Sequence, residues 1–533
     1  MKELIDPLRV KLIGNWGSSS QICDEWNRMS QGDLRWNDIQ ICSDDDADFF
    51  VIVNYPFGDE HYVPERTIVF QMEPWCGEDH QTWGVKTWGV WSKPDDARFL
   101  QVRSHDRFLN NVFWRMKSTY SELRLNSVEK TGLLSTMCSE KYFDPGHIKR
   151  VDFLRYCDAQ NDDVVNVEMF AYDNKLGLDC WVGPHPPGEN DATLLPYRYF
   201  IGVENNVEHN FITEKLWEPL LAEALCFYWG APNASEHVDS QAFIPIDLND
   251  FESAFATIKD AIETDQWSKR VEIIRNEKRR LLEELQFFPT IERILRKEFR
   301  FTSSPTDEEV IYHKYFSSDL GADLERVVFL HSYTKNGDIR ILAELLDAID
   351  AAPIRSSIDR IYIVNVGESI DLEDLGRTET DGYRLINYSA DAHYFEMATL
   401  RVLKVFSSVH DSAKVLYMHT KGASYDEIFP VIEDWRHLMV HFLVERGEEI
   451  PELLDDFDVV GCNSMAEPNL HFSGNFWWAN ASYLATLKSP DLSNRHEAER
   501  WVCSGEGVRT WTLHDSGVNH YQQRYLRENY VNE

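Results

Sequence analysis

Short continuous apolar runs alternate with helix-period segments along almost the whole chain, and this alternation limits the fold more than any other feature. Arg9–Asn15 (RVKLIGN), Asp48–Asn54 (DFFVIVN) and Thr67–Met72 (TIVFQM) read as strands bounded by turn residues or charge. A strand that is apolar on both faces has to be covered on both faces, which predicts parallel sheets lying between helices. A second series follows at Gly132–Thr136, Val164–Ala171, Tyr199–Glu204, Leu225–Trp229 and Phe243–Ile246, with helical periodicity over Glu252–Glu263 and Gln266–Leu285. A third runs through Val327–Leu330, Arg360–Val364, Arg384–Tyr388, Lys414–His419 and Phe457–Gly461, with helices at Ile339–Ile349 and Glu396–Ser408. The reading is α/β throughout: one half over residues 1–125, a second over 126–300, a Ser-, Pro-, Asp- and Gly-rich linker over 301–325, and a separate domain over 326–533.

Composition narrows the function classes. A chain of 533 residues can bury several cores without staples, and 90 Asp and Glu against 53 Lys and Arg give a net charge of −37. Such a surface repels phosphate backbones and anionic lipid, so nucleic acid and membrane surfaces are not the expected partners. The basic triplet Lys278-Arg279-Arg280 sits among Glu277, Glu283 and Glu284 and reads as a solvated helix face. Seventeen Trp suit either sugar stacking or large cores. Nine scattered Cys include no CxxC pair, against zinc ribbons and thioredoxin-like sites. The opening MKELIDPLRVKLIGNW turns charged early for a signal peptide, and no apolar run approaches the roughly 18 residues of a membrane span. The expectation is a cytoplasmic protein with free thiols.

The densest signal is Tyr197–Pro232 (YRYFIGVENNVEHNFITEKLWEPLLAEALCFYWGAP). A strand ends at Glu204-Asn205-Asn206, a polar loop follows, and Thr213 suits the N-cap of a helix that buries Leu216, Leu220 and Leu221. Glu214 and Lys215 then occupy the first helical turn at the C-terminal end of a parallel strand, where open α/β sheets bind ligands and where amides and a Lys can hold phosphate. The same pattern is also met by a strand–loop–helix unit with an incidental capping pair.

This stretch resembles the donor-binding motif of the family 10 α1,3/α1,4-fucosyltransferases, here as VEN, FITEK and YWGAP. Leu133–Leu154 is similar to the family's strand, loop and Arg-headed helix, and Thr67–Pro74 to its strand ending in an acidic residue. The resemblance covers about residues 5–300. It implies a GT-B-type pair of Rossmann-like domains and an inverting transfer of fucose from GDP-fucose to a glycan hydroxyl. By position it implies that Glu73 is the general base, that Arg150 and Lys215 neutralise the pyrophosphate, and that Glu214 binds the ribose or the fucose. It also implies that Glu204 and Asn205 line the donor pocket. With fixed cations offsetting the leaving group, no metal and no cofactor is obligatory. Two positions depart from the family: Phe211 stands where it has Tyr, removing one donor contact, and its S-N-type loop reads Ser135-Thr136-Met137-Cys138. The Golgi anchor of eukaryotic members has no counterpart here, which implies a cytosolic enzyme of bacterial or viral type.

Residues 326–533 have an element order that resembles a GT-A glycosyltransferase. Where such folds place Asp-x-Asp, this chain has His419-Thr420-Lys421-Gly422, so Lys421 could replace the charge of a metal, or His419 could ligate one. Phe472–Trp478 (FSGNFWW), including Asn475, suits either acceptor-sugar stacking or an aromatic core strand. His331 and Asp338 could contact a nucleotide or be structural. Asp458, Glu467 and Glu497 are unranked candidates for a base. The expectation is a bifunctional glycosyltransferase using a second nucleotide sugar. The alternative is a single fucosyltransferase with a non-catalytic carbohydrate- or partner-binding module.

Overall fold

Every residue of Phe49–Val53 and Thr67–Phe70 is buried, as strands covered by helices on both faces require. The computed structural model describes residues 7–77, 83–125, 129–185, 190–425, 427, 429–467, 469–492 and 497–532; the opening MKELID lies outside the described residues. The chain divides into two compact units, Met1–Pro94 with Phe99–Pro305 and Asp95–Arg98 with Thr306–Glu533.

The first unit holds two sheets. One is built from Leu8–Gly14 (β1), Arg35–Trp36 (β2), Ile39–Cys42 (β3), Phe49–Val53 (β4), Thr67–Phe70 (β5) and Gln101–Arg103 (β6), in the order β2-β3-β1-β4-β5-β6. All its pairings are parallel except the hairpin β2–β3. The other contains Gly132–Met137 (β7), Val167–Ala171 (β8), Trp181–Pro184 (β9), Tyr197–Val203 (β10), Leu225–Trp229 (β11) and Phe243–Pro245 (β12), all parallel, in the order β12-β11-β10-β7-β8-β9. The order reverses between β7 and β10, so a crevice opens beyond their C-terminal ends. These are Rossmann-like parallel sheets. The short β2, β3, β6 and β9 were not legible as apolar runs.

The second unit is one seven-stranded sheet with a separate two-stranded ribbon, Ser464–Met465 (β18) with His471–Phe472 (β19). Its strands are Arg326–Thr334 (β13), Arg360–Gly367 (β14), Tyr383–Ser389 (β15), Lys414–His419 (β16), Val459–Gly461 (β17), Trp477–Asn480 (β20) and Thr510–Thr512 (β21). The order is β15-β14-β13-β16-β20-β17-β21, with β20 antiparallel to both neighbours. Again the direction of winding changes between adjacent parallel strands, β13 and β16, and His331 and His419 are register partners at their ends.

Three sequence expectations need correction. Residues 301–325 contain the helix Asp307–Phe316, closed by a capping box in which Thr306 and Glu309 each bond the other's backbone. Its Tyr312 and Phe316 belong to the core of the second unit, so this stretch is more than a linker. The triplet 278–280 is not simply a solvated face, because Lys278 is buried with its ammonium 2.9 Å from Glu223. Asp95–Arg98, inside the first series, belongs to the second unit, where Ser389 Oγ donates to Asp95 Oδ2 at 2.8 Å. Among the described residues no helix is long and apolar enough to cross a membrane.

The helix Pro145–Gln160 starts against the backbone of residues 204–205, and Gly146 permits the approach. A Cβ there would fall 1.8 Å from the Glu204 carbonyl oxygen. Gly146→Ala should therefore lose at least the ~1–3 kcal/mol of an overpacked site in urea unfolding. Gly183, where an added Cβ meets nothing, should tolerate Ala with far less effect on the unfolding midpoint.

Candidate functional sites

A cavity of about 460 Å³ opens at the β7–β10 crevice of the first unit, lined by Met137, Cys138, Val203, Arg150, Glu214 and Lys215 among others. Arg150 is brought there by the helix Pro145–Gln160, which follows β7. It is 7% exposed, and its Nη1 donates to the Val203 carbonyl at 3.2 Å. Its Nε has no hydrogen-bond partner, and among the described residues no carboxylate lies within ion-pair distance of it. Lys215 is differently placed. Its Nζ is 2.8 Å from Glu214 Oε1, 3.1 Å from Thr213 Oγ1 and 3.6 Å from Glu204 Oε2. Burial would lower the Lys215 pKa, but the two glutamates raise it, so the ammonium stays charged. Burial would likewise raise Glu214, yet Lys215 and Arg115 hold it down at about 2.

Glu204, Asn205 and Phe211 do not line this cavity. Glu204 has no exposed surface. Its Oε1 accepts from the Thr213 amide at 2.8 Å and its Oε2 from the Thr213 hydroxyl at 2.7 Å, so it shapes the loop from within. Asn205 gives its carbonyl to the Gly146 amide at 3.0 Å. Phe211, itself a residue of that loop, is buried. The departure from Tyr at 211 therefore falls on a position that packs rather than contacts the cavity.

Glu73 follows β5 and is outside the cavity lining, but it shares the electrostatic field of the site. Burial raises its pKa first and Glu214 second, against Lys215 and Arg115. The segment before it is pinned: the Met72 amide donates to Asn54 Oδ1 at 2.9 Å, and Asn111 Nδ2 donates to the Met72 carbonyl. The segment after it is held by Glu208, which accepts from the amides of Trp75 and Cys76, each at 2.8 Å.

Two contributors had no sequence signal. Arg115 lines the cavity, and Glu214 raises its pKa above the ordinary guanidinium value. The fully buried Glu218, one turn after Glu214, accepts from the amides of Arg115 and Met116 and from Asn190 Nδ2, at 2.6, 3.1 and 2.6 Å. Burial, with Glu214 nearby, pushes it up to about 7. Glu218→Leu should leave three donors unpartnered and destabilise the first unit by several kcal/mol, at about 1–3 per group, read as a lower unfolding midpoint.

The second unit has its own cavity, about 270 Å³, at the β13–β16 crevice. His331, His419 and Lys421 line it, as do Glu396 and Glu499, which the sequence reading did not single out. Neither Asp338 nor Asn475 lines it, and neither do Asp458, Glu467 and Glu497. Asp338 is engaged by Arg340 at 2.6 Å and Asp458 by Arg509 at 2.8 Å. Asn475 is 1% exposed; its Nδ2 donates to Glu396 Oε2 at 2.6 Å, and its Oδ1 accepts from Trp477 Nε1 at 2.9 Å. Trp477 and Trp478 are fully buried, Trp477 stacked on Tyr417 at 4.8 Å, so this strand is core and not a stacking platform. Among the described residues no group of three His, Cys, Asp or Glu could hold a metal ion.

Residues 150–268 match the family model for glycosyltransferase family 10 (fucosyltransferase), C-terminal part, and residues 327–530 match a domain of unknown function, DUF8361. GDP-fucose protein O-fucosyltransferase 3 of Danio rerio is 30% identical over 93 residues, which is 15% of this chain and 20% of that protein. The chain thus spans about a fifth of the length of that curated relative. A crystal structure of an α1,3-fucosyltransferase with GDP is 13% identical, covers 53% of this chain and 92% of its own, and has a TM-score of 0.32. A cytidylyltransferase from Leptospira borgpetersenii is 13% identical over 36% of this chain and 77% of its own, with a TM-score of 0.22. The half of the first unit that carries Arg150, Glu214 and Lys215 is thus the stretch similar to the family 10 fucosyltransferases.

Proposed function

We propose that the first unit is an inverting fucosyltransferase that uses GDP-fucose and a glycan acceptor, α1,3 in type. The observation that carries this is Arg150: a buried guanidinium, unpaired with any carboxylate among the described residues, lining a strand-end cavity in the stretch matched by the family. A group in that state is stabilised by an anion, and a nucleotide diphosphate supplies one. In the reaction, the Glu73 carboxylate takes the proton of the acceptor hydroxyl as its oxygen attacks the anomeric carbon. The bond from that carbon to the phosphate oxygen breaks, and GDP leaves with the electron pair toward Arg150 and Lys215. A single displacement turns a β-linked donor into an α-fucoside. The fixed cations make the transfer independent of divalent metal, so activity should persist in EDTA. The unpaired thiols of all nine cysteines support a cytoplasmic, reducing location.

Calorimetry on the full chain tests the donor. GDP should bind more tightly than UDP, and Arg150→Ala should weaken GDP by roughly tenfold or more, the loss of a charge-assisted contact. UDP binding tighter than GDP would sink the assignment. Glu73→Gln should keep GDP binding and lose roughly 10²–10⁴-fold in turnover. The base works ionised, so kcat/KM should fall as pH drops through a Glu73 pKa that lies above the ordinary carboxylate value. Glu214 contributes to that elevation, so Glu214→Gln should move the acid limb to lower pH.

For the second unit, the two readings are transfer of a second sugar from its own nucleotide donor and a non-catalytic carbohydrate- or partner-binding module. Second transfer would need Lys421 to offset a diphosphate. Two carboxylates, Glu396 and Glu499, line the same small cavity, and this charge balance favours the carbohydrate module.

A further inference from the structure

Lys421 is 8% exposed, with its ammonium 3.9 Å from the centre of the Trp435 ring and 6.0 Å from that of Tyr521. Among the described residues no carboxylate lies within ion-pair distance of it. Burial lowers its pKa, while Glu499 and Glu396 act against that. The cavity is therefore lined by a largely buried ammonium that no carboxylate among the described residues pairs.

Glu396 supplies the complementary acceptor. Its Oε2 receives Tyr417 Oη at 3.0 Å and Asn475 Nδ2 at 2.6 Å, both from the core. Its Oε1 is 3.6 Å from His419 Nδ1. The Gly474 carbonyl lies 3.0 Å from His419 Nε2 and can only accept, so the ring hydrogen sits on Nε2 and Nδ1 has none to give. Burial lowers His419 to about 3 and His331 to about 4, so neither adds positive charge at neutral pH. Glu396 Oε1 is thus a held carboxylate oxygen with no donor among the described residues. The preceding Phe395, which also lines the cavity, has φ 43° and ψ −150°, a conformation that costs a non-glycine residue of order 1–3 kcal/mol.

Charge and size select the ligand. Two carboxylates against one ammonium disfavour a diphosphate, and the ammonium disfavours an amine. The volume of 270 Å³ is just under the range of about 300–1,000 Å³ for drug-sized ligands, small for a nucleotide sugar and suited to a single ring. The rim is aromatic: of the lining residues Tyr425 is 48% exposed and Tyr521 60%. A pyranose presents hydroxyl edges to a polar floor and C–H faces to such rings.

We propose that this cavity binds one uncharged pyranose ring, with a ring hydroxyl donating to Glu396 Oε1 and another accepting from Lys421. Asn475 and Tyr417 act as positioning residues for the carboxylate. The inference rests on the carbohydrate-module reading and adds the ligand class and its anchors.

The test is saturation-transfer NMR on the full chain, with the methyl glycosides of galactose, glucose, N-acetylglucosamine and fucose as probes. At least one should bind and be weakened roughly tenfold or more by Glu396→Gln, the loss of a charge-assisted bond. Tyr521→Ala, at the exposed rim, serves if Glu396→Gln lowers the thermal midpoint, and should weaken the same glycoside severalfold. A glycoside that binds but ignores both substitutions overturns the assignment of this cavity and leaves the module reading standing. If no glycoside binds, both fail; nucleotide-sugar binding lost in Lys421→Ala would then replace them with second transfer.

Discussion

Glu204 ends β10 with no surface exposed to water and both oxygens committed to Thr213. Taking a carboxylate out of water costs several kcal/mol unless donors and a cation compensate; here burial raises the Glu204 pKa, and Lys215, the Thr213 hydroxyl and the Thr213 amide oppose that. The consequence is a loop closed from beneath. The residues between 204 and 213 must return to the strand end they left, and the next helix starts with Glu214 and Lys215 facing the crevice. Gly202, where a Cβ would fall 2.4 Å from the Lys215 carbonyl oxygen, and Gly146 let strand, loop and helix approach closely enough for this. The cavity is thus a by-product of satisfying one buried charge.

The same helix reaches further through Glu218, which binds amides of the segment carrying Arg115 and the side chain of Asn190. Two glutamates fourteen residues apart, Glu204 before the helix start and Glu218 after it, therefore fix parts contributed by distant stretches of sequence. In the second unit Glu396 plays the comparable part, held by Tyr417 and Asn475 while one oxygen faces the cavity. In each case a core hydrogen bond presets the position of a charge at a strand end, which removes the entropic cost of ordering it when a ligand arrives.

The long parallel strands were legible because continuous apolar runs are the direct signature of burial on both faces; Leu225–Trp229 and Lys414–His419 have the bounds the sequence suggested. Two- and three-residue strands such as Arg35–Trp36 carry too few side chains to show a period. Asp307–Phe316 was hidden by its Ser- and Pro-rich flank, although Thr306 and Glu309 spelled its capping box. At the site, Arg150, Glu214 and Lys215 came from local motifs and do meet. Glu204 and Asn205 stood in the same motif yet do not line the cavity, Glu204 because it is buried in its own loop, since a motif records which residues the local structure needs, not which of them touch a ligand. Arg115 and Glu396 lie in segments without a motif and reach their cavities only through tertiary packing.

Both cavities occupy the place where parallel winding reverses, so position alone does not choose the ligand; the local charge balance does. A net charge of −37 would repel a nucleotide diphosphate if all charges acted equally. They do not, because exposed carboxylates more than about 8 Å away are largely screened at physiological salt. Arg150, nearly withdrawn from solvent, acts in a medium where each Coulomb contact is several times stronger than in water. Its charge is unmatched, whereas Lys421 faces two carboxylates. An acidic chain can therefore hold an anion at one strand-end crevice and favour a neutral polyol at another, since a few desolvated groups set the local potential and the surface charge is felt mainly during approach.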